Sequence, residues 1–193
     1  MKLEDGLILE FHPLTLSRWG DFETLFGPGG ACGGCWCMFW KKPRGQFQKD
    51  AYDKNRLDQK GILKKGIVPG ILAYFDGEPV GWCAVEPREH YPALARSRIL
   101  KPVDEEPVWS ITCFFVSKKY RRRGLTVSLL KEVANYVASK GGKILEGYPV
   151  EITKDKAVDA FIYTGTTSAY KRAGFIELAR RSPTRPIYRF TIK

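Results

Sequence analysis

The sequence lacks any apolar run long enough to cross a membrane. A spanning helix needs about 18–20 consecutive apolar residues, and no stretch of the 193 residues approaches that length. The first residues, MKLEDGLILEF, also lack the apolar segment and the cleavage site of a secretory signal. We therefore expect a cytoplasmic protein with no membrane partner.

Histidine is scarce, and cysteine is present in an odd number. The chain has two histidines and five cysteines, so we expect free thiols rather than a disulfide framework. Cys32, Cys35 and Cys37 have a spacing that suits zinc ligation, but a structural zinc site needs four ligands and no nearby residue supplies the fourth. We predict no metal site. Packing in the core is the favoured interpretation, and a wall of a substrate pocket is the alternative.

Internal repeats, low-complexity tracts and linkers are absent, which predicts a single domain over residues 1–193. Lysine and arginine number 32 against 21 aspartates and glutamates, a net charge of +11. Such an excess indicates an anionic ligand. Nucleic acid stays an alternative ligand, although no motif of interleaved basic and aromatic residues supports it.

One stretch combines a strand, a basic turn and a helix. Trp109–Val116 is apolar and rich in aromatic and β-branched residues, which predicts a strand buried on both faces. A cluster of lysines and arginines follows over residues 118–123. Residues 125–140 then place apolar side chains at every fourth position, which predicts an amphipathic helix of about four turns.

This junction favours the binding of an anion. The first N–H groups of a helix have no intrahelical partner, and the helix dipole adds about half a positive charge there. Gly124 has no Cβ to hinder a ligand that approaches the backbone. Arg121, Arg122 and Arg123 are suited to neutralising phosphate. The sequence therefore predicts a phosphate or diphosphate site, and a solvated basic turn is the alternative.

Two motifs resemble those of the GNAT superfamily of N-acetyltransferases. Residues 116–126 resemble its acyl-CoA signature, which is Arg or Gln, two residues, Gly, one residue, then Gly or Ala. Arg121 and Gly124 match this pattern, whereas Thr126 departs from it. Residues 170–175, YKRAGF, resemble the family's Tyr-x-x-x-Gly-Phe segment. Two motifs in the family's order are more specific than either one alone.

The resemblance implies a mixed α/β fold, with a central mixed sheet of about six to seven strands flanked by helices and with splayed parallel central strands. It implies transfer of an acetyl group from acetyl-CoA to a primary amine by direct attack. The implied contacts with CoA are Phe114, Phe115, Val116, Arg121, Arg122, Arg123, Gly124, Leu125, Thr126 and Val127.

Tyr170 is the implied acid that protonates the departing thiolate. The base stays open between a water chain and four carboxylates, which are Glu86, Glu105, Glu106 and Glu146. The acceptor, a small molecule or a protein amine, and a homodimeric state also stay open. The alternative functions are a non-catalytic acyl-CoA-binding domain of the same fold and a basic nucleic-acid-binding module.

The rest of the chain predicts the elements around this centre. Apolar runs over residues 71–75 and 80–85, joined by Asp-Gly-Glu-Pro, predict a β-hairpin. Polar residues 46–65 predict one helix with a solvated face. Residues 143–150, 175–178 and 187–192 predict three further strands.

Overall fold

The computed structural model describes residues 8–152 and 162–192. The strands are β1 (Glu10–Pro13), β2 (Gly70–Phe75), β3 (Glu78–Pro87), β4 (Trp109–Val116), β5 (Ile144–Gly147), β6 (Ile176–Ala179) and β7 (Ile187–Thr191). The helices are α1 (Trp19–Phe26), α2 (Arg44–Lys49), α3 (Asp53–Lys64), α4 (Pro92–Ala95), α5 (Leu125–Ser139) and α6 (Thr167–Arg172).

The strands of the described residues form one sheet in the order β1-β2-β3-β4-β5-β7-β6. Only the pair β4 and β5 is parallel, and α5 provides the crossover between these two strands. The other neighbouring pairs are antiparallel. This mixed sheet, flanked by helices, confirms the predicted fold class.

Helix α5 covers one face of the sheet, which we call the α5 face. Leu125, Leu129, Val133 and Val137 are all buried there, as the four-residue spacing predicts. Burial of each such side chain contributes about 1.5–3 kcal/mol. These four contacts are therefore comparable to the whole stability of a typical domain, and they fix the position at which α5 begins relative to β4.

Helix α1 covers the opposite face, which we call the α1 face, through a cluster of aromatic rings. Phe22 lies with its ring centroid 4.9 Å from that of Trp82 on β3, and Phe26 lies 5.6 Å from Trp36 and 5.3 Å from Phe115. Trp36 brings the cysteine-containing segment into this core. The chain that follows Trp36 is thereby held over the middle of the sheet.

Some element boundaries differ from the predictions. Residues 46–65 form parts of two helices rather than one, because Tyr52 has φ +67°, in the left-handed region, and its N–H donates to the carbonyl of Gly34. Strand β5 ends at Gly147, before the predicted end at Val150.

We predict opposite stability effects for two glycine-to-alanine substitutions. A Cβ at Gly70 would overlap the carbonyl oxygen of Cys83 on the neighbouring strand, so Gly70→Ala should destabilise the fold by about 1–3 kcal/mol. Gly61 lies within α3 with no heavy atom within 4 Å of an added Cβ, so Gly61→Ala should stabilise it by about 0.5–1 kcal/mol. Urea unfolding measures both changes, and equal effects would contradict the packing described for β2 and β3.

Candidate active site

The start of α5 presents three backbone N–H groups that the protein leaves uncapped. Gly124 adopts φ +82° at the N-cap, and its carbonyl accepts from the amide of Val127 at 2.9 Å. Within residues 8–152 and 162–192, no group accepts a hydrogen bond from the amides of Gly124, Leu125 or Thr126. These three N–H groups are available to an anion. The predicted contact through Val127 is less favourable, because the amide of Val127 already donates to the carbonyl of Gly124.

Aromatic and cationic side chains fix the turn that precedes α5. The buried ring of Tyr120 packs on Phe75, with Lys119 and Arg123 over its faces at 5.4 Å and 5.8 Å. These cation–π contacts hold the positive charges close to the uncapped amides.

The arginines of the predicted signature play different structural roles. Arg121 donates from Nε to the carbonyl of Val116 at 2.9 Å, which ties the end of β4 to the turn. Arg122 is exposed and has φ +60°, so its backbone lies in the left-handed region. A non-glycine residue in this conformation is uncommon, and it aims the following amides outward.

Strands β4 and β5 stay together over three residue pairs and then separate. The last pair is Ile111 with Gly147, where β5 ends, while β4 continues to Val116. The N–H of Ser117 donates to β3, so by strand alternation the N–H of Val116 faces away from β3, towards the separation. The predicted splay of the central strands is therefore present.

Part of the edge beside this separation is occupied by the chain itself. The N–H of Phe114 donates to the carbonyl of Tyr163 at 2.5 Å. A CoA arm that paired with the N–H of Phe114 would therefore have to displace this hydrogen bond. The N–H of Val116 takes no part in it. The contact with Tyr163 was not predictable from the sequence, because Tyr163 lies 49 residues from Phe114 and belongs to neither motif.

Phe115 points to the opposite face from Phe114 and borders a cavity. This cavity has a volume of about 390 Å³ and lies beside the basic turn. Its walls include Ser117, Lys118 and Arg121 from the turn and Leu25 from α1. The side chains of Phe114 and Phe115, both predicted to contact CoA, thus lie on different faces of the sheet.

Tyr170 is buried on the α5 face, and its hydroxyl has no hydrogen-bond partner among the described residues. Its ring packs edge-on against Phe114, Phe175 and Tyr188. The ring lies so close to Gly147 that a Cβ there would overlap it. The hydroxyl therefore reaches the point at which β5 ends, and burial raises the pKa of Tyr170 well above its usual value.

Glu86 occupies the α1 face near the same point of the sheet. It pairs in register with Ser110 on β4, one position before the last β4–β5 pair. Its side chain is 2% exposed and contacts the Nζ of Lys41, while His90 Nδ1 lies 2.8 Å from its other oxygen. Glu86 therefore links a buried amine to a partly exposed imidazole.

The other three carboxylates predicted as possible bases are placed less favourably. Glu146 is buried, but one of its oxygens lies 2.7 Å from Arg189 and the other lies 3.5 Å from Arg88, so both oxygens are occupied by guanidinium groups. Glu105 and Glu106 are exposed in the loop before β4. Lys41 and His90 are missing from the sequence prediction, because neither belongs to a recognisable motif.

The family can be identified from the strand, turn and helix together. A model described as the acetyltransferase (GNAT) family matches residues 35–161. The chain belongs to the GNAT acetyltransferase family. This match covers more than half of the chain and ends before Tyr170. No curated protein sequence matches the chain.

Solved structures show the same GNAT fold at low sequence identity. A GNAT acetyltransferase from Listeria monocytogenes is similar with a TM-score of 0.60 and 10% identity, over 99% of this chain and 98% of that one. The PaiA N-acetyltransferase of Thermoplasma acidophilum, in complex with coenzyme A, is similar with a TM-score of 0.53 and 12% identity, over 96% of this chain and 99% of that one. The aminoglycoside N-acetyltransferase AAC(6')-Iy, in complex with CoA, is similar with a TM-score of 0.57 and 18% identity, over 92% of this chain and 93% of that one.

Two cysteines of this GNAT chain lie in the core. Cys37 and Cys83 are buried, and the Nε1 of Trp82 donates to the sulfur of Cys37 at 3.0 Å. Among the described residues, no group of three or more metal-ligating side chains is arranged to hold an ion. No helix of that part of the chain is long and apolar enough to span a membrane.

We predict that one thiol per chain reacts rapidly with a disulfide reagent at pH 8. Cys32 is exposed, whereas burial raises the pKa of Cys35 to about 12 and leaves little reactive thiolate there. Cys32→Ser should abolish the fast phase, and guanidinium should expose all five thiols. A fast phase that appears only after a chelator is added would instead support bound metal.

Proposed function

We propose that this chain transfers an acetyl group from acetyl-CoA to a primary amine by direct attack on the thioester. The observation that carries the proposal is the buried Tyr170 hydroxyl, which has no partner within residues 8–152 and 162–192 and lies where β4 and β5 part. Leaving such a hydroxyl unpaired costs about 1–3 kcal/mol. A ligand in the separation would give it a partner.

The uncapped amides fit the diphosphate of CoA. The N–H groups of Gly124, Leu125 and Thr126 converge at the positive end of the α5 dipole. Thr126 keeps its amide although it departs from the family signature. Bound acetyl-CoA supplies the thioester, and these amides together with Arg122 hold its diphosphate.

In this mechanism, a residue on each face of the sheet carries out one of the proton transfers. Tyr170, on the α5 face, stays protonated because of its raised pKa and donates to the departing sulfur. Glu86, on the α1 face, accepts one proton of the attacking ammonium, and the second proton that leaves the nitrogen restores the Tyr170 hydroxyl. The amide of Val116, which faces the separation, polarises the acetyl carbonyl as oxyanion donors do.

One observation favours a second function, an acyl-CoA-binding domain without turnover. The carbonyl of Tyr163 occupies the N–H of Phe114 on the edge that a thioester arm would use. If this contact persisted with CoA bound, the diphosphate site would remain while the acetyl group was kept away from Tyr170. Measuring CoA affinity and turnover separately distinguishes the two functions.

The diphosphate site is tested with a pair of substitutions at Thr126. Thr126→Pro deletes one N–H from the first helical turn, where no intrahelical hydrogen bond is lost. Loss of a hydrogen bond to a charged group, about 1.5–3 kcal/mol, should weaken acetyl-CoA binding about 10-fold or more. Isothermal titration calorimetry measures the dissociation constant.

Thr126→Ala is the matched control, because it removes the hydroxyl but keeps the amide. It should bind acetyl-CoA nearly as well as the unmodified chain. Circular dichroism must show that α5 survives in both variants. Equal weakening by alanine and proline would argue against a site built on the amides.

The acid role is tested with Tyr170→Phe. Turnover should fall by about 10²–10⁴-fold, with acetyl-CoA affinity kept. Thermal stability should be unchanged or higher, since the substitution removes an unpaired buried hydroxyl. Thiol release measures turnover on a panel of amines.

Tyr188→Phe serves as the control from the same aromatic cluster. Its hydroxyl donates to Glu177 at 3.3 Å, on the side of the sheet edge, so its removal should leave turnover intact. If Tyr170→Phe retained full turnover, the acid role would be refuted. If the unmodified chain bound acetyl-CoA without acetylating any amine, the binding function would be favoured.

A further inference from the structure

A buried lysine amine lies against the proposed base. Lys41 is carried by the segment that follows the aromatic anchor Trp36, and its side chain is 8% exposed. Its Nζ contacts the carboxylate of Glu86 and lies 4.8 Å from the ring centroid of Tyr91. Both lysine and glutamate are rarely buried to this extent.

The sheet register places Glu86, which this amine contacts, one residue pair before the separation of β4 and β5. Glu86 is aligned with Ser110, and Ser110 is aligned with Glu146, so the three residues form one row across the α1 face. Adjacent strands lie about 4.8 Å apart, so this row spans about 10 Å. The next position along β5 is Gly147, where the hydroxyl of Tyr170 lies on the other face.

We propose that Lys41 is itself an acetyl acceptor, so that the chain acetylates its own side chain. This inference rests on the proposed function. A bond forms between Lys41 Nζ and the acetyl carbon, and the carbon–sulfur bond of the thioester breaks. Before the attack, the ammonium of Lys41 gives one proton to Glu86. As the carbon–sulfur bond breaks, Tyr170 gives its proton to the sulfur, and the second proton that leaves the nitrogen restores the tyrosine hydroxyl. The products are acetyl-lysine and free CoA.

The surroundings of Lys41 favour its reaction. Burial lowers the pKa of Lys41, although the neighbouring Glu86 opposes the shift, so deprotonation is easier than for a lysine in water. Glu86 also contacts His90, whose side chain is 37% exposed. His90 therefore offers the proton a route from the buried carboxylate to solvent.

Lys42 provides a matched comparison within the same segment. Its Nζ points to α3 instead of the sheet, and lies 2.7 Å from Asp50 and 2.6 Å from Asp58. Both lysines are thus buried and paired with carboxylates, but Lys41 contacts a carboxylate of the sheet whereas Lys42 does not. Lys54, with a 60% exposed side chain, represents an ordinary surface amine.

The experiment incubates the full chain with acetyl-CoA and follows acetylation site by site with peptide mass spectrometry. Uncatalysed acetylation should follow exposure, so it should modify Lys54 ahead of the two buried lysines. Self-acetylation predicts the reverse order, with Lys41 modified about 10-fold faster than Lys54 and Lys42 unmodified. Modification of Lys54 ahead of Lys41 would overturn the inference.

Two variants test the path of the protons. Glu86→Gln and Tyr170→Phe should each slow acetylation at Lys41 by about 10²-fold, and should leave the slow background at Lys54 unchanged. Lys41→Arg should abolish the Lys41 signal while keeping a cation beside Glu86. Near-UV circular dichroism confirms folding, and the site order in the unmodified chain remains decisive if a variant fails to fold.

The outcomes separate this inference from the proposed function. Absence of acetyl-CoA binding in calorimetry would defeat the proposed function and self-acetylation together. Binding with turnover on an external amine, but without modification of Lys41, would overturn self-acetylation alone.

Discussion

The limited pairing of β4 with β5 is the constraint on which the site depends. Because the two parallel strands share three residue pairs and then part, the middle of the sheet opens beside Val116 instead of continuing as a ladder. In the proposed mechanism, an acid on the α5 face and a base on the α1 face act on one group held at this opening.

The groups around this opening are unfavourable for stability when considered alone. The Tyr170 hydroxyl is buried without a partner in the part of the chain that the structure describes, and the Lys41–Glu86 ion pair is almost removed from water. A buried ion pair often contributes no more to stability than well-packed apolar residues of similar volume. Buried groups that lower stability and lie near one opening are better explained by a role in catalysis than by a role in stabilising the fold.

The sequence was informative where structure is determined locally. The strand Trp109–Val116, the basic turn and the start of α5 at Leu125 all follow from apolar spacing and from Gly124. The break at Tyr52 was not predictable from residues 46–65, because it depends on a hydrogen bond to Gly34.

The same limit applies within the site. The amides and Tyr170 belong to contiguous motifs, so they could be named from the sequence. Lys41 and Glu86 are 45 residues apart and meet only because the aromatic cluster of the α1 face holds the chain after Trp36 over β3. Neither residue carries a spacing signal that would have predicted this contact.

The free energy of the hydrogen bond between Phe114 and Tyr163 can be compared with that of the hydrogen bonds at the proposed diphosphate site. A neutral backbone hydrogen bond contributes a net of about 0.5–1.5 kcal/mol, whereas each bond to a charged group contributes about 1.5–3 kcal/mol. Three amides at the start of α5 therefore outweigh the single contact that a thioester arm would displace. On these magnitudes, Tyr163 reduces the affinity for acetyl-CoA by about 10-fold at most, without closing the site.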